Sequence, residues 1–282
     1  MTEIRITETV RDALQGIDKF VPTAKKIEYT HALLKVGFDC IDVGSFVSPK
    51  AVPQMADTEV VIGHLGTESD PTPLMVLVVN ETGARKAAGF PQITSICFPY
   101  SVSPEFLKRN LKMETAKAKE IVISLLTLPE LDRLEKVIYL SMGFGNPYGD
   151  DWSLDMLTET AAYFYEAGIR NMPLSDILGE ANPERIYQVY NTLIPLFPEV
   201  DFGLHLHTRP SDSIEKLEAA YEAGVRSFET VTNGLGGCPF AADELVGNLS
   251  TQDFIAFCDQ KNIPLQLDRA ALEKAIRISN TF

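Results

Sequence analysis

The segment "IRITETVRDALQG", residues 4–16, decides between two ways of building an α/β protein. Its first half is apolar and β-branched, as a buried parallel strand requires. A doubly wound dinucleotide-binding sheet would follow such a strand with a GxGxxG turn, whose glycines let the backbone approach a pyrophosphate. Here the strand runs into Glu8, Thr9, Val10, Arg11 and Asp12 instead. Polar groups at the carboxyl end of a strand are what a (β/α)8 barrel uses to build its site.

Working outward, seven more runs read as strands: "FDCIDVGS" (38–45), "LMVLVVN" (74–80), "ITSICFP" (93–99), "VIYLSMG" (137–143), "NMPLSD" (171–176), "FGLHLHT" (202–208) and "SFETVTN" (227–233). Helical segments separate them, among them "PTAKKIEYTHALLKVG", "LDMLTETAAYFYEAG" and "SIEKLEAAYEAG". Each carries apolar residues at three- and four-residue spacing and ends in glycine, a common helix stop. Eight strand–helix units predict a TIM barrel spanning residues 1–282 as one catalytic domain, with its site at the C-terminal strand ends.

Composition narrows the partners. The 25 basic and 39 acidic residues give a formal charge of −14, which disfavours nucleic acid and anionic membranes as partners. A local basic pocket for a small anion stays compatible with it. No apolar run approaches the ~18 residues of a membrane span. Cys40, Cys97, Cys238 and Cys258 form no CxxC pair, which fits reduced thiols in a cytoplasmic protein, and no secretory signal opens the chain.

The expected strand ends are polar: Arg11 and Asp12 after the first, Asp42 to Ser45 at the second, Ser175 and Asp176 at the sixth, His205 and His207 at the seventh. Residues i and i+2 of a strand point to one side, so both imidazoles can reach one ion from a rigid support. An isolated HxH is equally a packed polar pair; Asp12 on another strand end favours the metal. Imidazole and oxygen ligands without thiolates suit Mg²⁺ or Mn²⁺, with Zn²⁺ as an alternative. The loop "NGLGGCPFA" (233–241) adds glycines that permit close backbone approach, and carries Cys238.

Six stretches together carry a family resemblance: "RDALQ" (11–15), "SFVSPKAVPQMADTEVV" (45–61), "LSDILG" (174–179), "HLH" (205–207), "GLGGCPFA" (234–241) and "GNLSTQD" (247–253). The chain resembles the 3-hydroxy-3-methylglutaryl-CoA (HMG-CoA) lyases, metal-dependent TIM-barrel enzymes. The resemblance implies Asp12, His205, His207 and Asn248 as metal ligands, and Arg11 as the group that steadies enolate charge. It implies proton-transfer roles for Asp176, His205 and the loop thiol Cys238. Asp42, in place of a glutamate, and Ser45 would meet substrate. The implied reaction is retro-Claisen cleavage of an acyl-CoA thioester to acetyl-CoA and acetoacetate, a step of leucine degradation. Homodimerisation stays open.

The chain also departs from its relatives. Ala13 replaces a glycine, "TRPSD" (208–212) follows the second histidine, Asp243 and Glu244 follow the cysteine loop, and Gln252 replaces a glutamate. Arg209 in that stretch is a candidate partner for a carboxylate on a different acyl group. A sister lyase or aldolase acting on another 3-hydroxy-acyl-CoA or a 2-oxo acid is therefore the alternative. A barrel that binds metal without turnover is a third reading, opposed by the intact Arg11, Asp12, His205, His207, Cys238 and Asn248. Lys108, Arg109 and Lys112 are candidates for CoA phosphates, although a basic helix face is more often simply solvated. The pair in "GDDW" (149–152) reads as an acidic start to the helix that follows.

Overall fold

Every one of the eight expected runs forms a strand in the computed structural model, which describes residues 3–65, 72–237 and 246–282. The strands are β1 (Arg5–Thr9), β2 (Cys40–Ser45), β3 (Leu74–Leu77), β4 (Ile93–Ser101), β5 (Glu135–Ser141), β6 (Leu174–Asp176), β7 (Leu204–Leu206) and β8 (Ser227–Thr230). They pair in parallel in chain order, and β8 returns to β1, so the sheet closes into a barrel. The described helices are α1 (Val10–Gln15), α2 (Thr23–Leu33), α3 (Thr58–Gly63), α4 (Glu81–Ala88), α5 (Pro104–Leu111), α6 (Thr115–Thr127), α7 (Leu154–Glu166), α8 (Pro183–Leu196), α9 (Ser213–Glu222), α10 (Thr251–Gln260) and α11 (Arg269–Ser279). The three glycines expected to stop helices, Gly37, Gly168 and Gly224, have φ of 91°, 100° and 105°. Among the described residues, no helix is long and apolar enough to cross a membrane.

Two cores result. One lies between the strands and the helices and includes Leu33, Phe164, Leu193, Leu217 and Phe254. The other fills the barrel and is small: Met75, Cys97, Val137 and Tyr139. Above it the interior turns polar, with Arg11, Asp42 and Glu229 all buried. Cys97 and Cys258 are buried and Cys40 is half-buried. Burial pushes all three thiols up, Cys258 to about 12, which leaves them unreactive.

β1 and β7 end earlier than their sequence suggests, and this positions the site. β1 stops at Thr9, so Arg11 and Asp12 ride on the helical turn α1. β7 stops at Leu206, and His207 pairs its backbone with Asn248 as an isolated antiparallel bridge. The substituted Ala13 lies in α1 fully buried, so its methyl group is accommodated.

Glu8 departs from the expectation that the polar strand ends all converge on the site. It faces the surrounding helices. Its carboxylate accepts from the Thr232 backbone N–H at 2.6 Å, Thr251 Oγ1 at 2.7 Å, and Tyr29 Oη and Thr230 Oγ1 at 3.4 Å each. The alternation of a strand explains this: Glu8 and Thr9 point to opposite faces. Glu8 therefore ties β1 to β8, α2 and α10. Replacing it with alanine strands several buried donors, and Glu8→Ala should cost about 3 kcal/mol of stability in a denaturant titration. A loss below about 0.5 kcal/mol would show that the network contributes nothing net.

Candidate active site

Three ligand-type groups meet at the mouth of the barrel. Donor atoms of Asp12, His205 and His207 lie within 4.8 Å of one another, and all three residues are buried. His205 Nε2 is 3.1 Å from Asp12 Oδ2 and 3.4 Å from His207 Nε2. The outer nitrogens are both occupied: His205 Nδ1 meets Glu229 Oε2 at 2.6 Å, and His207 Nδ1 meets the Val246 carbonyl at 3.2 Å. Each ring is thus held with Nε2 turned inward, the arrangement that carboxylate- or carbonyl-backed metal histidines adopt.

The electrostatics agree with a cation site. Burial opposes ionisation of Asp12, but the Arg11 guanidinium and His205 outweigh it and hold the carboxyl well below its usual range. Burial and the neighbouring His205 charge lower His207 to about 4, so it is neutral and offers a lone pair at physiological pH. Burial also opposes the cation of His205, yet Asp12 and Glu229 overcome it and raise that group to about 10. An ion entering the triad therefore displaces a proton from His205. Asn248 is brought alongside by its backbone bridge to His207; its amide nitrogen donates to the Leu235 carbonyl at 2.7 Å, leaving the carboxamide oxygen as its donor atom for a cation. An anionic oxygen, two imidazoles and an amide oxygen form a donor set that fits a divalent ion.

Arg11 stands beside this triad. Its Nε donates to Asp42 Oδ2 at 2.7 Å, and its Nη1 lies 3.4 Å from Asp12 Oδ1. The pair is almost wholly out of water, so the guanidinium is fixed in direction. Burial raises the Asp42 carboxyl to about 6 despite Arg11, and its other oxygen, Oδ1, has no partner. Arg11, Asp12, Ser45, His205 and His207 all line one cavity of about 440 Å³, within the range of small-molecule sites. Ser45 Oγ is buried there without a hydrogen-bond partner.

Two other expected residues lie elsewhere. Asp176 Oδ1 accepts from the backbone N–H groups of Leu178 and Gly179 at 3.0 Å each, and Oδ2 from Ala181 at 2.8 Å. Its carboxylate organises the turn after β6, and Asp176 is absent from the cavity wall. Arg209 is exposed and borders a separate cleft of about 170 Å³ behind Asn248. Cys238, Asp243 and Glu244 lie outside the described residues. The start of the glycine loop is described, and it packs on α1. A Cβ on Gly236 would sit 2.1 Å from the Asp12 carbonyl oxygen, and φ there is +81°, so this position requires glycine.

Other groups emerge only in three dimensions. Glu229, from the middle of β8, backs His205, and Tyr139 Oη donates to both its oxygens at 2.8 and 2.9 Å. The lone acid in β8 was the available signal for Glu229. The basic helix divides: Arg109 and Lys112 line the cavity, whereas Lys108 pairs outside with Glu114. The expected acidic helix start is also corrected. Ser153 caps α7, while Asp150 Oδ2 accepts from Ser103 Oγ and the Glu105 N–H at the start of α5. The loop after β5 folds back over α5, so Asp150 reaches a helix far away in sequence.

Comparison with known proteins agrees with this geometry. The HMGL-like family model matches residues 4–278. A hydroxymethylglutaryl-CoA lyase of Bacillus subtilis is 29% identical over 253 residues, covering 90% of this chain and 84% of the relative. An (R)-citramalyl-CoA lyase of Chloroflexus aurantiacus is also 29% identical, over 93% of this chain and 85% of the relative. The HMG-CoA lyase structure from Brucella melitensis superposes with a TM-score of 0.91 at 27% identity, covering 100% of this chain and 99% of that one. An HMG-CoA lyase from A. baumannii, in complex with coenzyme A and 3-methylmalate, does so at 0.89 and 30% identity, over 99% and 90% of the two chains. This chain belongs to the HMGL-like family and is a TIM-barrel carbon–carbon lyase.

Proposed function

We propose that the chain cleaves a 3-hydroxy-3-methylglutaryl-CoA-like thioester by a retro-Claisen reaction, giving acetyl-CoA and acetoacetate. The observation that carries this reading is the buried Asp12–His205–His207 triad facing the same cavity as the fixed guanidinium of Arg11. Asp12, His205, His207 and Asn248 are the residues that would hold a divalent cation. Bound there, the cation supplies Lewis acidity that makes the carbinol proton of the substrate easier to remove.

The remaining work belongs to side chains. Breaking the carbon–carbon bond moves an electron pair toward the thioester carbonyl. Arg11, already oriented by Asp42, offers preorganised N–H groups to that developing oxyanion. Arg109 on α5 and Lys112 just after it give the cavity a cationic rim suited to CoA phosphates, although the chain as a whole is acidic. Cys238 is the proton-carrying group of this proposal; His205, expected to share that role, gives up its Nε2 proton in favour of the cation and keeps Nδ1 on Glu229. Asp176 acts through the turn it organises, because both its oxygens already accept backbone hydrogen bonds.

A second reading keeps the chemistry and changes the acyl group. The citramalyl-CoA lyase matches this chain at the same 29% identity as the B. subtilis enzyme. Incubating metal-loaded protein with both thioesters and measuring acetyl-CoA release separates the two. Faster cleavage of the methylglutaryl compound supports the first reading; cleavage of citramalyl-CoA alone rejects it.

Two predictions concern the metal. His207→Ala should weaken binding of Mn²⁺ at least about 100-fold and abolish turnover with it. Full occupancy in that variant would rule out the triad as the ligand set. In the intact protein, His205 carries a proton up to about pH 10 and His207 carries none above about pH 4. Apparent metal affinity should therefore rise with pH across the neutral range, and about one proton should leave per ion bound. Calorimetry in buffers of different ionisation enthalpy reads this number directly, and zero protons released would contradict the arrangement.

A further inference from the structure

We propose that the hydroxyls of Ser141 and Ser175 form the subsite that reads a carboxylate on the acyl group, and so help decide which hydroxyacyl thioester is accepted. The inference rests on the lyase reading above and adds residues to it. Ser141 on β5 is register partner of Ser175 on β6, which in turn is register partner of His205 on β7. The three side chains thus occupy one row around the barrel mouth. Adjacent strands lie about 4.8 Å apart, so the hydroxyls sit roughly one and two strand spacings from the triad. That is the reach of a substituent on a carbinol carbon held at the triad.

Both serines line the cavity, and they are only 4% and 2% exposed. They share one hydrogen bond, at 3.2 Å. Each hydroxyl has a single proton, so whichever serine donates, one proton of the pair has no acceptor among the described residues. The Ser141 carbonyl cannot help, since it accepts from Ser101 Oγ and the Val102 N–H. No side chain among the described residues accepts that proton, and the cavity lining includes the apolar Pro99, Phe106 and Ile177. A buried donor left unpaired is costly, so the pair favours a ligand that brings an acceptor oxygen. A carboxylate has two oxygens side by side; a methyl group in its place leaves the pair unmatched. The carboxylate can come from a carboxymethyl arm, as in the methylglutaryl compound, or from a carboxyl group directly on the carbinol carbon, as in citramalyl-CoA.

The test compares metal-loaded wild type with Ser141→Ala and Ser175→Ala. Dissociation constants and kcat/KM are measured for 3-hydroxy-3-methylglutaryl-CoA, citramalyl-CoA, the carboxylate-free 3-hydroxy-3-methylbutyryl-CoA, and CoA itself. Each variant should bind the accepted carboxylated thioester about tenfold more weakly, with the loss appearing mainly in KM. Binding of the carboxylate-free thioester and of CoA should change by less than about twofold. The carboxylated compound that loses affinity identifies which arm the serines meet. Parallel weakening of the carboxylate-free thioester would reduce the serines to packing and overturn the proposal, as would no change with either acid. Should wild type bind these thioesters and cleave none, the lyase reading falls, while the dissociation constants still decide the subsite.

Discussion

A line of alternating charge crosses the barrel mouth, and the site is organised around it. Asp42 pairs with Arg11, Arg11 adjoins Asp12, Asp12 meets His205, and His205 meets Glu229, which Tyr139 holds from the far side. Every member is buried, so no link can be removed without leaving an uncompensated charge. Three carboxylates face two cations, a net negative charge in a nearly water-free place. Exchanging the His205 proton for a divalent ion neutralises the line. The line's own charges thus favour a cation at the triad, and His205 carries the extra proton that such a cation would replace.

The fold was legible because a barrel repeats one simple pattern eight times. Each strand is buried on both faces and reads as an apolar run, and the helices have one buried face, three of them followed by the glycine stops Gly37, Gly168 and Gly224. The two histidines were legible for a related reason: residues two apart share a side, and they do so even though β7 ends between them. What could not be read was direction. Glu8 and Asp12 are neighbours in one polar stretch, yet Glu8 faces the helices and Asp12 the site. Asp176 has the composition of a catalytic acid, but its carboxylate caps a turn, and only the positions of three N–H groups reveal that. Glu229 and Asp150 were missed because each serves a partner distant in sequence. Gln252, read as a lost acid, bonds both the backbone and the side chain of Asn233 and so fixes the bend that opens the glycine loop.

The cavity separates two recognition tasks. Its rim presents Lys112, just beyond the end of α5, and Arg109 from α5 itself, a helix held down by Asp150 and by packing of Phe106 against Met142 and Ile177. Its floor presents Arg11, the triad and the serine row. A cationic rim of long side chains suits phosphate groups, which tolerate loose geometry, whereas the floor consists of strand ends and one helical turn, which do not. Under the function proposed above, substrate identity is decided at the floor, where a difference of one methylene moves a carboxylate by about 1.5 Å relative to fixed donors.

That rigidity extends to the glycine loop. Gly236 rests on the Asp12 carbonyl so closely that no side chain fits, and Gly16, at the end of the same helical turn, packs against the Gly236 backbone in return. The two glycines form a seam between the segment that supplies Arg11 and Asp12 and the segment that leads to Cys238. A loop that shifted at this seam would take the metal carboxylate with it. Because Asp12 is bound to both Arg11 and His205, such a shift is resisted by the whole charged line. The strict requirement for glycine at position 236 is therefore tied to the segment that places Arg11 and Asp12, through backbone contact alone.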